Sequence, residues 1–212
     1  MKKRTRLCSL LLAPLLLSGC FGTARVQQQA SAQKRAFAPV AEASAPYAPR
    51  FAALKLRTFR TLPPFDANTF IVRRPGGEFV CDFYNTWIAS PNDLIRTQTT
   101  RFLEESRLFS AVYDASSTTL PPLGLEGIVS ELYLDFAGPK PAAVVTLRLL
   151  ILDERTPSFN VLFSSEKSAR VEFDAADSHA PAQAFGAALT QTLKALTQTL
   201  DSASLPANKS LP

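Results

Sequence analysis

The sequence predicts an α+β fold, a two-layer sandwich in which two long amphipathic helices pack on one face of a mostly antiparallel sheet. Between residues 51 and 173, several runs alternate apolar and polar side chains, as half-buried strands do. Two other stretches, 91–107 and 181–202, repeat apolar residues at helical spacing. Short turn-forming connections separate successive strands, which favours antiparallel neighbours.

The first twenty residues have the composition of an export signal. Four basic residues at positions 2, 3, 4 and 6 precede the apolar run 7–17. These eleven apolar positions are fewer than the roughly 18–20 needed to span a bilayer. The tetrapeptide Leu17-Ser18-Gly19-Cys20 resembles the lipobox of bacterial lipoproteins, in which the cysteine becomes the acylated first residue. An ordinary secretory signal with a chance cysteine is the alternative.

The lipobox divides the chain into four predicted regions. Residues 1–19 form the signal peptide, and 20–33 form the lipidated N-terminus with a flexible tether rich in Gln, Ala and Ser. Residues 34–205 form the α+β domain, and 206–212 form a disordered tail. The thirteen residues 21–33 span about 45 Å at full stretch, so the domain is expected close to the membrane.

Charge and cysteine usage exclude two classes of protein. The chain has 23 Lys and Arg, four of them in 1–19, which leaves 19 against 18 Asp and Glu. No basic stripe with interleaved aromatic residues remains, so we expect no nucleic-acid partner. Cys8 leaves with the signal and Cys20 carries lipid, so there is no disulfide framework. Cys81 is expected on the buried face of a strand, with intermolecular pairing as the alternative.

The first strands are predicted on both sides of a proline-rich connector. A short edge strand covers Lys34–Val40, and the connector covers Ala41–Arg50. Phe51–Arg60 is a clearer strand, which Pro63 and Pro64 end.

Residues Thr69–Phe83 form the clearest hairpin in the sequence. A two-residue turn at Gly76-Gly77 would place Val72 opposite Cys81 and Phe70 opposite Phe83. In that register five apolar side chains share one face, and a shift of one residue would scatter them. They are Phe70, Val72, Phe79, Cys81 and Phe83.

The first helix begins with a local cap. Ser90 caps it, Pro91 occupies the first helical position, and Asp93 closes a capping box, so we place the helix at Pro91–Arg107. The second helix covers Pro181–Ser202 and carries one apolar stripe. The stripe consists of Phe185, Leu189, Leu193, Leu196 and Leu200.

Four further strands complete the predicted sheet. They cover Ser110–Asp114, Leu125–Phe136, Ala142–Asp153 and Phe159–Phe173. In the second of these, Ile128, Leu132, Leu134 and Phe136 share a face. The strand Ala142–Asp153 is apolar on both faces, which indicates a central position in the sheet or a covering partner.

Several short motifs follow one another in an order typical of a known family. They are Leu56-Arg57-Thr58-Phe59-Arg60, Pro63-Pro64-Phe65-Asp66, Phe70-Ile71-Val72-Arg73, Cys81-Asp82-Phe83-Tyr84-Asn85 before the Ser90-Pro91 helix start, Ser106-Arg107-Leu108-Phe109 and Leu125-Glu126-Gly127. In their order and spacing the chain resembles the ABC-type transport auxiliary lipoproteins, the family that includes PqiC. The resemblance covers about residues 34–203, and no motif in it is catalytic.

The resemblance implies a role in lipid transport. It implies a periplasmic accessory subunit that binds the MCE-domain protein of a lipid ABC transporter, which also has a permease and an ATPase. Phe21 follows the lipidated cysteine in place of the aspartate that signals inner-membrane retention, so we expect the periplasmic face of the outer membrane. Self-association into a homo-oligomer stays open. A lipoprotein that regulates a peptidoglycan or other envelope machine is the alternative, which the short tether disfavours.

The inventory of chemical groups favours binding over catalysis. The single histidine, His179, is interpreted as a solvent-facing residue, with a general base as the alternative. We expect no metal site and no cofactor beyond the covalent lipid on Cys20. A candidate partner-binding cluster lies between the hairpin and the first helix, because Tyr, Trp and Arg dominate interface energetics. It consists of Arg73, Arg74, Tyr84, Asn85 and Trp87, with Asp82 beside it. In the alternative interpretation, Tyr84 and Trp87 simply cover the sheet edge and Asp82 pairs with an arginine.

Overall fold

A computed structural model of the chain describes residues 34–42 and 46–207. These residues form a single sheet of eight strands and two helices. The strands are β1 (Arg35–Phe37), β2 (Leu54–Thr61), β3 (Thr69–Arg73), β4 (Phe79–Trp87), β5 (Val112–Tyr113), β6 (Leu123–Asp135), β7 (Ala142–Asp153) and β8 (Val161–Glu172), and the helices are α1 (Pro91–Ser106) and α2 (Ala180–Asp201). The predicted signal peptide, the tether and most of the predicted tail lie outside the described residues.

Strand β6 organises the sheet because it has three neighbours. One of its edges pairs antiparallel with β7 along the whole strand, and β7 pairs with β8. Its other edge pairs with two strands in succession: β2 over residues 123–129, and β3 over Leu134 and Asp135. Strand β5 extends the sheet beyond β2, and β4 and β1 extend it beyond β3. The sheet curls into a mixed half-barrel.

The predicted mostly antiparallel two-layer sandwich is therefore wrong, although the protein is α+β. Four strand pairs are parallel: β1 with β4, β2 with β5, β2 with β6, and β3 with β6. Only three are antiparallel: β3 with β4, β6 with β7, and β7 with β8. Pro63 and Pro64 end β2 as predicted, but the segment 62–68 does not reverse the chain. Strands β2 and β3 therefore run in the same direction along one edge of β6.

Both predicted helices are confirmed, each within one residue of the predicted ends. At the start of α1, the backbone N–H of Asp93 donates to the Ser90 hydroxyl at 3.3 Å, as a capping box requires. This hydroxyl also lies 2.6 Å from Oδ2 of Asp93, and its hydrogen bond lowers the pKa of Asp93. Arg107 adopts a left-handed conformation with φ 56° and ends the helix.

One hydrophobic core includes side chains from both helices and from the inner face of the sheet. The predicted apolar stripe of α2 is buried as a whole, and this helix packs on β7 and β8. Helix α1 packs on β2 and β5. Strand β7 is buried on both faces along most of its length, in agreement with the central position that its sequence indicates.

Residues 38–42, here called the strap, precede both helices in the chain and hydrogen-bond to each of them. The Ala41 N–H donates to Oε1 of Gln98 on α1 at 3.0 Å, and the Glu42 N–H donates to the Thr190 hydroxyl on α2 at 2.9 Å. Ala41 is only 1% exposed. Where the strap crosses α2, a Cβ atom on Gly186 would lie 2.5 Å from the carbonyl oxygen of Val40. The strap therefore depends on a glycine at that position.

Candidate functional surface

The β3–β4 hairpin pairs one residue away from the predicted register. Val72 lies opposite Val80, and Ile71 lies opposite Cys81. The N–H of Arg74 donates to the carbonyl of Glu78 at 2.8 Å, so the turn is Pro75-Gly76-Gly77, with both glycines at positive φ (92° and 88°). Pro75 has no backbone N–H to donate to a neighbouring strand. The observed register places Pro75 in the turn, where no such hydrogen bond is needed.

The shift in register changes which side chains are buried. Phe70 is fully buried as predicted, whereas Phe79 and Phe83 are exposed. Cys81 was predicted to be buried, and that prediction is wrong, because its thiol is free and the residue is exposed. Three of the five side chains predicted to share a buried face, those of Phe79, Cys81 and Phe83, are therefore exposed to solvent.

A bulge in β4 separates the exposed aromatic residues from the regular ladder. Four residues, 82–85, lie opposite the single residue Phe70 of β3, and we call them the Asp82 bulge. Oδ1 of Asp82 accepts hydrogen bonds from the backbone N–H groups of Tyr84 at 2.8 Å and Asn85 at 3.1 Å. Oδ2 accepts a third from the Asn85 side-chain amide at 2.6 Å. The bulge is thus held by one carboxylate, a frequent role of aspartate in turns.

The Asp82 bulge projects two aromatic side chains, Phe83 and Tyr84, which we call the aromatic tip. Phe83 is 68% exposed and Tyr84 is 46% exposed. Their rings contact each other edge to face, with centroids 5.2 Å apart. The Lys34 ammonium lies 4.6 Å from the centroid of the Phe83 ring, within cation–π distance.

A surface groove of about 790 Å³ lies beside the aromatic tip, between the hairpin, the ends of β6 and β8, and the segment that precedes α2. We call it the apolar groove, because most of its wall is hydrophobic. The wall includes Val72, Val80, Leu134, Phe136 and Phe173. Phe136 and Phe173 contact each other edge to face, with centroids 5.9 Å apart. The lining also includes Tyr84 and Asn85 and four charged residues: Arg35, Arg74, Asp82 and Asp177.

An ion pair joins β3 to β6 next to this groove. Arg73 donates two hydrogen bonds to the Asp135 carboxylate, from Nε to Oδ1 at 3.1 Å and from Nη2 to Oδ2 at 2.8 Å. Nε of Arg170 lies 3.6 Å from the same carboxylate. Asp135 is only 4% exposed, and the Arg73 hydrogen bonds hold the pKa of its carboxyl below the ordinary value. The same bonds raise the pKa of Arg73.

The structure divides the predicted partner-binding cluster into two groups. Arg74, Tyr84 and Asn85 line the apolar groove, together with Asp82. Arg73 is engaged by Asp135, and Trp87 is buried against Phe70 and Phe185, with ring centroids 4.3 Å and 4.9 Å away. The cluster does not meet as one surface. Cys20, the predicted lipidation site, lies outside the described residues.

Sequence reasoning missed Phe83 and the groove walls Phe136 and Phe173. Phe83 was assigned to a buried face because the strand was read as regular. The spacing of Asp82 and Asn85 was the available signal, because an aspartate that binds backbone N–H groups just ahead of it is typical of a turn. No local signal brings Phe136 and Phe173 to the hairpin, since they belong to strands much later in the chain.

The described residues offer hydrophobic contact, aromatic faces and charged hydrogen bonds. Within 34–42 and 46–207, no group of three or more His, Cys, Asp or Glu side chains is arranged to hold a metal ion. Over the same ranges, no helix has the length and apolar composition needed to cross a membrane. His179 precedes α2, and its ring contacts Phe37 edge to face at 6.3 Å. The groove and the tip are suited to binding a molecule or surface with apolar groups.

Comparisons with known proteins identify the fold. Neither a scan against family models nor a search of curated proteins found a match. Among solved structures, protein XCC0632 from Xanthomonas campestris, of the family model DUF330, matches with 24% identity and a TM-score of 0.65, over 77% of this chain and 92% of that chain. A second structure, of an uncharacterized protein, matches with 12% identity and a TM-score of 0.58, over 75% of this chain and 99% of the other. At these identities the likeness establishes a shared fold.

Proposed function

We propose that this protein is a non-enzymatic lipoprotein and an accessory subunit of an ABC/MCE-type phospholipid transport system. The lipobox-like Leu17–Cys20 supports anchoring through a lipid on Cys20, and Phe21 favours the periplasmic face of the outer membrane. The resemblance to the family that includes PqiC supports the transport role. The fold shared with the DUF330 structure from X. campestris is consistent with that resemblance.

The observation that carries the binding role is the apolar groove with the aromatic tip at its rim. Soluble domains rarely leave a continuous apolar surface open without a use for it, and such surfaces mark interaction sites. The groove also has the composition of an interface hot spot, because aromatic side chains meet an arginine there. Its polar lining includes Arg74, Asp82 and Asn85 on the hairpin, Arg35 on β1, and Asp177 before α2.

In this proposal, the groove docks an apolar segment of the MCE-domain protein, which belongs to a complex with its permease and ATPase. The lipid on Cys20 holds the domain at the membrane. By binding the MCE-domain protein, the domain would hold that end of the lipid transport path at the same membrane. Arg74, Tyr84 and Asn85 are the predicted partner-binding residues that lie at the groove. Burial of the exposed parts of the Phe136 and Phe173 rings would contribute apolar contact.

Affinity purification of the lipidated protein from cell membranes tests this role. We expect an MCE-domain protein, its permease and its ATPase among the co-purified proteins. The variant Phe136→Asp places a charge in the groove and should lose them. Leu120→Asp is the matched control, because Leu120 is a lone apolar side chain, 86% exposed, that does not line the groove.

The same experiment addresses the alternative role. A peptidoglycan synthase recovered without any MCE-domain protein would replace the transport proposal with regulation of peptidoglycan assembly. The variant Cys20→Ala should give a folded domain released from the membrane that fails to restore transport in a deletion strain. Full restoration by that soluble form would refute the anchoring role.

A further inference from the structure

We propose that the aromatic tip, Phe83 and Tyr84, contacts the lipid headgroup region of the membrane to which Cys20 attaches the chain. This inference rests on the proposed lipidation and adds a second point of attachment, made by the folded domain itself. The apolar groove would then open directly beside the bilayer surface. Three observations carry the inference: the construction of the tip, the charges around it, and the point at which the chain enters the domain.

The tip is a preformed projection. Three hydrogen bonds to the Asp82 carboxylate fix the backbone of the bulge, and the Thr69 hydroxyl donates to the carbonyl of Asp82 from the neighbouring strand. The two rings stabilise each other by edge-to-face contact. The loss of conformational entropy on inserting these side chains into an interface is therefore small, because their backbone is already ordered.

Two cations lie beside the tip, where they would pair with the phosphate groups of a lipid surface. The ammonium group of Lys34 lies over the Phe83 ring, and Arg35 follows on β1. Three acids also lie around the hairpin and the groove, and each has a partner: Asp82 accepts three hydrogen bonds within the bulge, Asp177 accepts the N–H of His179 at 2.8 Å, and Glu78 lies 3.8 Å from Arg74. Aromatic rings with adjacent Lys and Arg are typical of protein surfaces at the membrane interface, where the rings sit at headgroup level.

The chain enters the domain at the tip. Strand β1 pairs with β4 from Asn85, the last residue of the bulge, onward, and Arg35 lies opposite Asn85. Only the thirteen residues 21–33 separate Cys20 from Lys34. The anchored end of the chain therefore meets the folded domain beside Phe83. Phe83 and Tyr84 thus combine aromatic contact, a cation over one ring, and closeness in space to Lys34, which follows the tether in the sequence.

Depth-dependent fluorescence quenching tests the inference on the full lipidated chain. The protein is reconstituted into vesicles of phosphatidylethanolamine and phosphatidylglycerol, with and without brominated acyl chains, which quench nearby tryptophan. The native Trp87 is buried and supplies a constant background. We expect Phe83→Trp to lose several-fold more fluorescence than Leu120→Trp, since position 120 lies outside the groove and the tip. Equal quenching of the two variants would overturn the inference.

Further readings separate failure of the inference from failure of the proposed function. The vesicles contain no partner protein, so an unquenched tip leaves docking on the MCE-domain protein intact. If the protein does not co-float with the vesicles in a density gradient, the lipid anchor and this inference are both refuted. In detergent without a bilayer, capture of the MCE-domain protein by the unaltered chain reports on docking alone. Capture in detergent together with an unquenched tip in vesicles would overturn the membrane contact and leave docking standing, whereas a quenched tip without capture would refute docking alone.

Discussion

The carboxylate of Asp82 and the side-chain amide of Asn85 lie 2.6 Å apart and close the bulge that carries the aromatic tip. The same carboxylate binds the backbone N–H groups of Tyr84 and Asn85, so three donors converge on one side chain. This arrangement interrupts the regular ladder of β4 and fixes the backbone from which Phe83 and Tyr84 project. The surface that we assign to binding thus depends on a single aspartate.

Replacing this aspartate should weaken both the domain and its tip. Asp82→Ala removes three charge-assisted hydrogen bonds at a half-exposed site, and we expect a loss of about 1–2 kcal/mol in the free energy of unfolding. Urea denaturation measures that loss, and hydrogen exchange at Tyr84 and Asn85 should accelerate. Asp66→Ala is the control, because Asp66 is an exposed aspartate in the segment that follows β2. Identical urea midpoints for the two variants would contradict this role of Asp82.

The ion pair between Arg73 and Asp135 should make stability depend on pH. The pKa of Asp135 is lower in the folded protein than its ordinary value of 3.8, so its contribution is present above that value and is lost as the pH falls through the folded pKa. At neutral pH, Asp135→Asn should lower the free energy of unfolding by about 2 kcal/mol, because a buried acceptor loses its charge beside two arginines.

The stability difference between the wild type and Asp135→Asn should therefore shrink as the sample is acidified below about pH 4. Denaturant titrations at a series of pH values measure this difference directly. Asp66→Asn corrects for the general effect of removing one carboxylate. A difference that stays constant down to acid pH would show that the pair does not lower the pKa of Asp135.

Gly186→Ala should destabilise the protein, although the substitution lies inside a helix. In an isolated helix, alanine is more stable than glycine by about 1 kcal/mol. Here the new Cβ would lie 2.5 Å from the carbonyl oxygen of Val40, a backbone atom of the strap. We expect a net loss of about 1–2 kcal/mol and faster hydrogen exchange at Ala41 and Glu42. A variant more stable than the wild type would show that the strap is not held against α2.

Gly127 and Phe59 should be energetically coupled, because a Cβ atom on Gly127 would overlap the Phe59 ring. Gly127→Ala alone should cost about 1–3 kcal/mol through overpacking. In the Phe59→Leu background its cost should be smaller, because the shorter side chain leaves room. Urea denaturation of the wild type, both single variants and the double variant completes the cycle. Costs that add to within about 0.5 kcal/mol would refute the coupling.

Local chemistry made the helices predictable. Ser90, Pro91 and Asp93 specify the start of α1 through contacts among neighbours in sequence, and the stripe of α2 specifies its buried face. Strand pairing is not encoded in this way. The alternation in β2 and β3 shows that each is a strand, but it does not reveal that both pair in parallel with β6, because that arrangement depends on distant residues.

Besides strand pairing, β-bulges made the predicted buried faces wrong, because a bulge changes the face of the sheet on which the following residues lie. The sequence placed Ile128 on the same face as Leu132 and Leu134. In β6 an extra residue at Ser130 shifts the register, so Val129 is buried with them and Ile128 is only half buried. The Asp82 bulge likewise interrupts the regular alternation of β4. Of the candidate site, Arg74, Tyr84 and Asn85 were located from sequence, whereas the groove walls required the fold.

Site-specific photocrosslinking from the groove wall in living cells tests the central claim most directly. A photoreactive phenylalanine analogue replaces Phe136, an exposed aromatic residue of the groove, in the full lipidated chain. The same analogue at Leu120 is the control. Our account predicts a crosslink from position 136 to an MCE-domain protein and none from position 120. A crosslink from position 136 to a peptidoglycan synthase, or equal crosslinking from both positions, would contradict it.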